Sequence, residues 1–191
     1  MRWFVLIFIL LTLVHSNTAD VPTKGANSGT AYSSSGWNGT NMGWQALYPD
    51  GMHQTFDDEI VMVLVPEGCF YMGSASGYED ELPLHEQCFE SSFWIDETEV
   101  TQTDFFRLGG VQADQPDFQG DDRPIESINF LEAESFCALR SARLPIESEW
   151  EYAARGPDGW VYPWGNDWND SHVVSNRIST QGTAEVKSLP R

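Results

Sequence analysis

Basic side chains are scarce in this sequence. Lysine and arginine together number 10 against 29 aspartates and glutamates, a formal net charge of −19 at pH 7, and Lys24 and Lys187 are the only lysines. A surface this acidic repels the phosphates of nucleic acids and the headgroups of anionic lipids, which excludes both as general partners. We interpret the charge as a solvated surface that keeps the protein soluble; attraction of basic peptides or divalent cations is the alternative.

Cysteine is also rare, and the common catalytic motifs are missing. The 191 residues contain three cysteines, Cys69, Cys88 and Cys137, so at least one thiol lacks a partner within the chain. We find no phosphate-binding glycine loop, no Gly-x-Ser-x-Gly elbow and no paired-cysteine zinc pattern, and the four histidines are isolated from one another. The residues therefore indicate no catalytic centre of their own.

Long hydrophobic runs are limited to the N-terminus. An apolar stretch from Trp3 to Val14 follows Arg2 and leads to small residues ending at Ala19, which is typical of a signal peptide over residues 1–19. We therefore expect a protein that is secreted or otherwise extracytoplasmic (periplasm, cell surface or secretory lumen), with no membrane association after cleavage. An uncleaved anchor is the alternative, although the run is short for a spanning helix.

A change of composition divides the rest of the chain. Residues 20–58 are rich in Gly, Ser, Thr and Asn and predict a flexible linker, whereas residues 59–191 predict a single folded domain. Two short strands are expected in "IVMVLVPEGCFYMGS", separated by a turn at Pro66-Glu67-Gly68, and another in "QCFESSFWIDETEV". Cys69 and Cys88 lie on these segments, so a cross-strand disulfide between them is geometrically reasonable; two unpaired buried cysteines are the alternative.

Three short helices are expected next. Thr101 can cap the first, and Asn129 with Glu132 forms a capping box on the second, whose apolar face includes Cys137. The third helix lies in "RLPIESEWEYAARG", where we expect Ile146, Trp150, Ala153 and Ala154 to form the buried face and Glu147, Glu151 and Arg155 to form the solvated face. These elements predict an α+β fold with short strands, about three short helices and much loop.

The order of these motifs resembles the formylglycine-generating enzymes, also called sulfatase-modifying factors. The resemblance rests on "RPIESINFLEAESFCALRSARLPIESEWEYAARG", on "YPWGN" and on the upstream "VPEGCFYMGS", and it covers residues 59–191. It implies an irregular fold similar to C-type lectins and oxidation of a sulfatase cysteine to formylglycine with oxygen and copper. The family residues that match here are structural: Pro145, Glu147, Glu149, Trp150, Glu151, Arg155, Trp164 and Gly165.

The sequence departs from the family pattern in its cysteines. The copper-binding pair of the family lies in the last third of the domain, whereas this sequence stops at "TAEVKSLPR", so we expect an incomplete domain without its C-terminal part. Copper is expected only if that part is supplied. The resemblance also implies that Cys137 lacks its partner, and it suggests a possible calcium site at Asn176 and Arg177.

Three functions are compatible with this pattern. The first is an exported member of this family that is inactive as this chain alone and acts on a sulfatase-like peptide once a second chain completes it. The second is a non-catalytic, lectin-like binding module that recognises a peptide, a glycan or a full-length relative through the aromatic loop "GWVYPWGNDW". The third is an iron-dependent oxidative enzyme, which the scattered histidines disfavour.

Overall fold

The computed structural model describes residues 14–16, 41–43, 53–56, 58–75, 77–174 and 182–189. It is a mixed α/β fold in which short elements alternate with long loops. The strands are β1 (Val14–Ser16), β2 (His53–Thr55), β3 (Val61–Val65), β4 (Gly68–Met72), β5 (His85–Phe89) and β6 (Phe93–Asp96), and the helices are α1 (Gln102–Arg107), α2 (Phe130–Leu139) and α3 (Glu147–Arg155). No helix in these described ranges is long and apolar enough to cross a membrane.

The strands form two antiparallel sheets. The larger has the order β1-β6-β3-β2, and the smaller is the hairpin of β4 and β5. The segment "QCFESSFWIDETEV" contains two strands rather than the expected one. Strand β5 of the hairpin ends at Phe89, and β6 of the larger sheet begins at Phe93. The two strands around the Pro66-Glu67-Gly68 turn are present as β3 and β4.

The larger sheet separates two hydrophobic cores, because successive strand residues point to opposite faces. On β6, Trp94 belongs to one core, whereas Phe93 and Ile95 belong to the other. We call them the helical core (Met62, Trp94, Val100, Phe105, Ile125, Ala133, Phe136, Cys137) and the hairpin core (Val65, Phe70, Phe93, Ile95, Tyr152). All four residues of β6 are consequently buried.

The starts of α1 and α2 are as the sequence predicted. The Thr101 side chain accepts a hydrogen bond from the Asp104 backbone N–H at 3.1 Å. Asn129 accepts from the N–H of Glu132 at 3.1 Å, and the Glu132 carboxylate accepts from the N–H of Asn129 at 2.8 Å, which is a capping box. Cys137 lies on the buried face of α2.

Two described segments of the predicted linker belong to the folded domain. The side-chain NH2 of Asn41 donates to the Arg155 carbonyl at 2.7 Å, and β2 forms an edge of the larger sheet. A strand of three residues is too short to show the alternation that identifies strands in a sequence. Within the predicted signal peptide, β1 pairs with β6, so cleavage after Ala19 would remove one strand of the sheet.

Candidate functional site

Helix α3 and the aromatic loop that follows it contain most of the residues shared with the family motif. The helix begins after Pro145, and Ile146 makes no side-chain capping bond. The Ile146 N–H instead donates to the Glu149 carboxylate at 2.9 Å, and the Arg143 guanidinium donates to both oxygens of that carboxylate at 2.7 and 2.6 Å. The hydrogen bond to Glu149 raises the pKa of Arg143. Glu149 therefore holds the helix start and the preceding loop together.

The predicted buried face of α3 is wrong at Ile146 and Trp150, whereas Ala153 is partly buried and packs against the hairpin core. Helix α3 buries Ser148, Glu149 and Tyr152, whereas Ile146 is 57% exposed and Trp150 is 39% exposed. A hydropathy pattern counts a glutamate as solvated, but Glu149 is buried because Arg143 and a backbone N–H satisfy its carboxylate. Of the residues predicted to be solvated, Glu147 is exposed, and Glu151 and Arg155 are half-buried.

Glu151 and Arg155 connect α3 to the hairpin and to the following loop. They form the expected ion pair one helical turn apart. The Gly73 N–H donates to the Glu151 carboxylate at 2.8 Å, and Arg155 donates to the Gly73 carbonyl at 3.1 Å. Arg155 also donates to the carbonyls of Gly159 at 3.1 Å and Trp160 at 2.8 Å. Both side chains therefore have a structural role, as the resemblance implies.

The loop after α3 carries a cluster of four rings, which we call the aromatic shelf: Tyr162, Trp164, Trp168 and His172. The rings of Tyr162 and Trp164 are stacked with centroids 5.3 Å apart and planes 7° apart. Trp168 meets Tyr162 edge-on at 5.4 Å, and His172 lies 5.4 Å from Trp164. The backbone of Gly165, with φ of 131°, pairs with that of Tyr162 and closes the tight turn that carries the two stacked rings.

Polar groups border the aromatic shelf. The indole N–H of Trp164 donates to the Asp167 carbonyl at 3.0 Å, and that of Trp168 donates to the Asp170 carboxylate at 2.5 Å. These bonds fix both indole rings, while Trp168 remains 39% exposed. A fixed, exposed ring beside a carboxylate can stack against an apolar face of a ligand while that carboxylate bonds its hydroxyls.

The cysteines do not form the catalytic pair of the resembled family. Cys69 and Cys88 face each other across β4 and β5 and form a disulfide. Burial raises the pKa of the Cys137 thiol to about 12, so this side chain is protonated at neutral pH. Copper in the family needs two thiolates held close together, and with Cys69 and Cys88 oxidised and Cys137 protonated the cysteines do not provide them.

The predicted calcium ligands, Asn176 and Arg177, lie outside the described residues. One buried group near the sheet was not predicted from the sequence: Arg140 donates to both oxygens of Asp96 at 2.7 and 2.9 Å and pairs with Asp58. Burial alone would lower the pKa of Arg140, but these carboxylates raise it overall. Arg140 directly follows α2, four residues after the buried Phe136, and this spacing was a signal that it needed an acidic partner.

Comparisons with known proteins support the resemblance. Residues 49–188 match the family model described as the sulfatase-modifying factor enzyme 1-like domain. The chain is similar to inactive C-alpha-formylglycine-generating enzyme 2 of Bos taurus, with 52% identity over 44 residues, which are 22% of this chain and 15% of that protein. It is also similar to the formylglycine-generating enzyme of Mus musculus, with 33% identity over 81 residues, 35% of this chain and 22% of that protein.

A solved structure shares the fold. The structure of PvdO from Pseudomonas aeruginosa superposes with a TM-score of 0.59 at 23% identity, covering 72% of this chain and 66% of that chain. This likeness concerns the fold alone. The matched part is also less than a quarter of the length of the bovine and mouse relatives.

Proposed function

The chain belongs to the sulfatase-modifying factor enzyme 1-like family, and we propose that it acts as an exported, non-catalytic recognition domain of that family. The observation that supports this most directly is the state of its cysteines. Two are joined in a disulfide, and the third is buried with a pKa of about 12, so the oxidised chain has no pair of thiolates. A thiolate, rather than a thiol, is the nucleophile and the metal ligand.

The aromatic shelf is the binding surface we propose for this domain. Trp168, which is 39% exposed, offers a flat apolar face, and the Asp170 carboxylate lies at its edge. This combination suits a sugar ring, whose C–H face stacks on an indole while its hydroxyls bond to the carboxylate. The net charge of −19 repels sulfated or other acidic glycans, so we propose a neutral glycan as the ligand.

The catalytic part of the proposal is tested with a cysteine peptide of the sulfatase type, incubated with the full chain, oxygen and copper. Mass spectrometry would follow conversion of the cysteine to formylglycine. We expect no turnover, while the mouse formylglycine-generating enzyme serves as the positive control. Turnover by this chain alone would refute a non-catalytic role.

The binding part is tested on a glycan array with two matched variants. Trp150 and Trp168 are each 39% exposed, but only Trp168 belongs to the aromatic shelf. We expect Trp168→Ala to abolish binding of neutral glycans and Trp150→Ala to retain it. Equal loss in both variants, or binding only of peptides, would contradict a glycan site on the shelf.

A second function is favoured by the outer face of α2. Phe130, Leu131 and Leu139 are 58–68% exposed there, which is unusual for three large apolar side chains on one short helix. A polypeptide carrying the family cysteine pair could cover this face and complete an oxidase. The peptide assay can be repeated with a separately produced C-terminal part of a family member added. Turnover that occurs only when both chains are present would favour this function.

A further inference from the structure

The exposed face of the β4–β5 hairpin brings together three potential metal ligands. Strand residues alternate between faces, so Phe70 and Phe89 point toward the hairpin core while Cys69, Glu86 and Cys88 point toward solvent. Cys69 is directly opposite Cys88, and Glu86 lies two residues before Cys88 on the same face. The two sulfurs and a carboxylate oxygen lie within 4.8 Å of one another.

Contacts other than the disulfide also hold the hairpin in place. Tyr152 of α3 packs against Phe70 and Phe89 with ring centroids 5.0 and 5.1 Å apart. The Gly73 N–H, just after β4, donates to the Glu151 carboxylate at 2.8 Å. Breaking the sulfur–sulfur bond would therefore leave both cysteines side by side in the same strand register.

Within the described part of the chain, the Glu86 carboxylate makes no ion pair that would compete for it. Two thiolates and one carboxylate are a ligand set that Zn²⁺ accepts, and a site with three protein ligands leaves one position open. All three side chains are exposed, so that fourth position would face solvent.

We propose that the reduced form of this hairpin binds one Zn²⁺ through Cys69, Cys88 and Glu86, and that the disulfide is the metal-free form of the same site. A dithiol reductant would supply two electrons and two protons, and would itself become a disulfide. The Cys69–Cys88 bond would be replaced by two thiols. Zn²⁺ would then displace both protons, forming two Zn–S bonds and one Zn–O bond. This inference concerns the reduced chain, whereas the proposed recognition function concerns the oxidised chain.

The experiment compares the oxidised and reduced full chain, which carry the same carboxylates. The chain is reduced with dithiothreitol, freed of it without oxygen, and titrated with Zn²⁺ in a calorimeter. We expect the reduced chain to bind one equivalent of Zn²⁺ tightly and the oxidised chain to bind Zn²⁺ only weakly, without reaching saturation. Co²⁺ should give thiolate-to-metal absorption in the reduced chain only. Equal binding by both forms would overturn the proposal.

Two variants test the ligands. Glu86→Gln keeps both cysteines and should weaken Zn²⁺ binding by the reduced chain by at least about tenfold. Loss of a group that only hydrogen-bonds to a metal ligand already lowers metal affinity by that factor. Glu90→Gln, with the same change of charge just beyond β5, should bind like the unaltered chain. Identical affinities for the two variants would remove Glu86 from the site. The Cys69→Ser/Cys88→Ser variant retains Cys137, so tight binding by it would place the metal elsewhere.

Discussion

Helices α2 and α3 both pack against the strands, but they bury different kinds of side chain. Helix α2 buries Ala133, Phe136 and Cys137, as their spacing predicts, and leaves Phe130, Leu131 and Leu139 exposed. Helix α3 buries Ser148, Glu149 and Tyr152 and leaves Trp150 half in solvent. The difference shows that the buried face of α3 depends on the partners of Glu149 and Tyr152 rather than on apolar spacing alone.

The largest effect is expected at the end of α2. Arg140→Ala would leave the Asp96 carboxylate buried without its guanidinium, which typically costs about 3–5 kcal/mol. Urea denaturation measures the loss. The variant Arg140→Met/Asp96→Leu removes the two fully buried charges, leaves the more accessible Asp58 carboxylate, and should be less destabilised than Arg140→Ala. If the double variant is the less stable one, the ion pair contributes a net stabilisation.

The next effect concerns Tyr152, the ring that α3 contributes to the hairpin core. Tyr152→Ala removes a fully buried ring that packs against Phe70 and Phe89, and we expect a loss of about 3 kcal/mol. Trp150→Ala, which the hydropathy pattern would rank as the more damaging change, should cost no more than about 1 kcal/mol because the side chain is partly exposed. Thermal unfolding of both variants measures which substitution lowers stability more. A larger loss in Trp150→Ala would support the buried face that the hydropathy pattern predicts.

Much of the fold follows from local signals in the sequence. The caps at Thr101 and Asn129 and the turn at Pro66-Glu67-Gly68 act within a few residues, so the sequence alone locates α1, α2 and the two strands around the turn. The buried face of α3 depends on Arg143 and on the aromatic side chains of the hairpin. Those contacts are tertiary, and a pattern of spacing within one helix contains no information about them.

The candidate site divides in the same way. The family motif identified the residues of α3 and the aromatic loop, but their roles depend on partners distant in sequence, such as Gly73 for Arg155. Asn41, which bonds the end of α3 from within the predicted linker, has no signal in its own neighbourhood. Composition indicated a linker there because a single anchoring side chain does not change the composition of a Gly/Ser-rich stretch.

A smaller effect is expected at the start of α3. Glu149→Gln removes the charge that bonds Arg143 while keeping the size of the side chain, and we expect a loss of about 1–3 kcal/mol. Glu147→Gln, at an exposed position two residues earlier, should change stability by less than about 0.5 kcal/mol. Urea denaturation of the two variants measures how much a hydrogen-bonded, buried carboxylate contributes to the free energy of unfolding. Equal changes would mean that Glu149 acts only through the helix dipole.

The smallest effect is expected from Cys137 on the buried face of α2. Burial raises the pKa of this thiol to about 12, so the folded state holds the proton more tightly than the unfolded state, whose thiol has a pKa near 8.5. Its contribution to stability is therefore complete below about pH 8.5 and decreases as pH rises toward 12. At pH 8 the native thiol should resist alkylation and react once urea unfolds the chain. Rapid alkylation of the native protein would mean that α2 exposes this face, in contrast to the tight packing that its hydropathy pattern predicts.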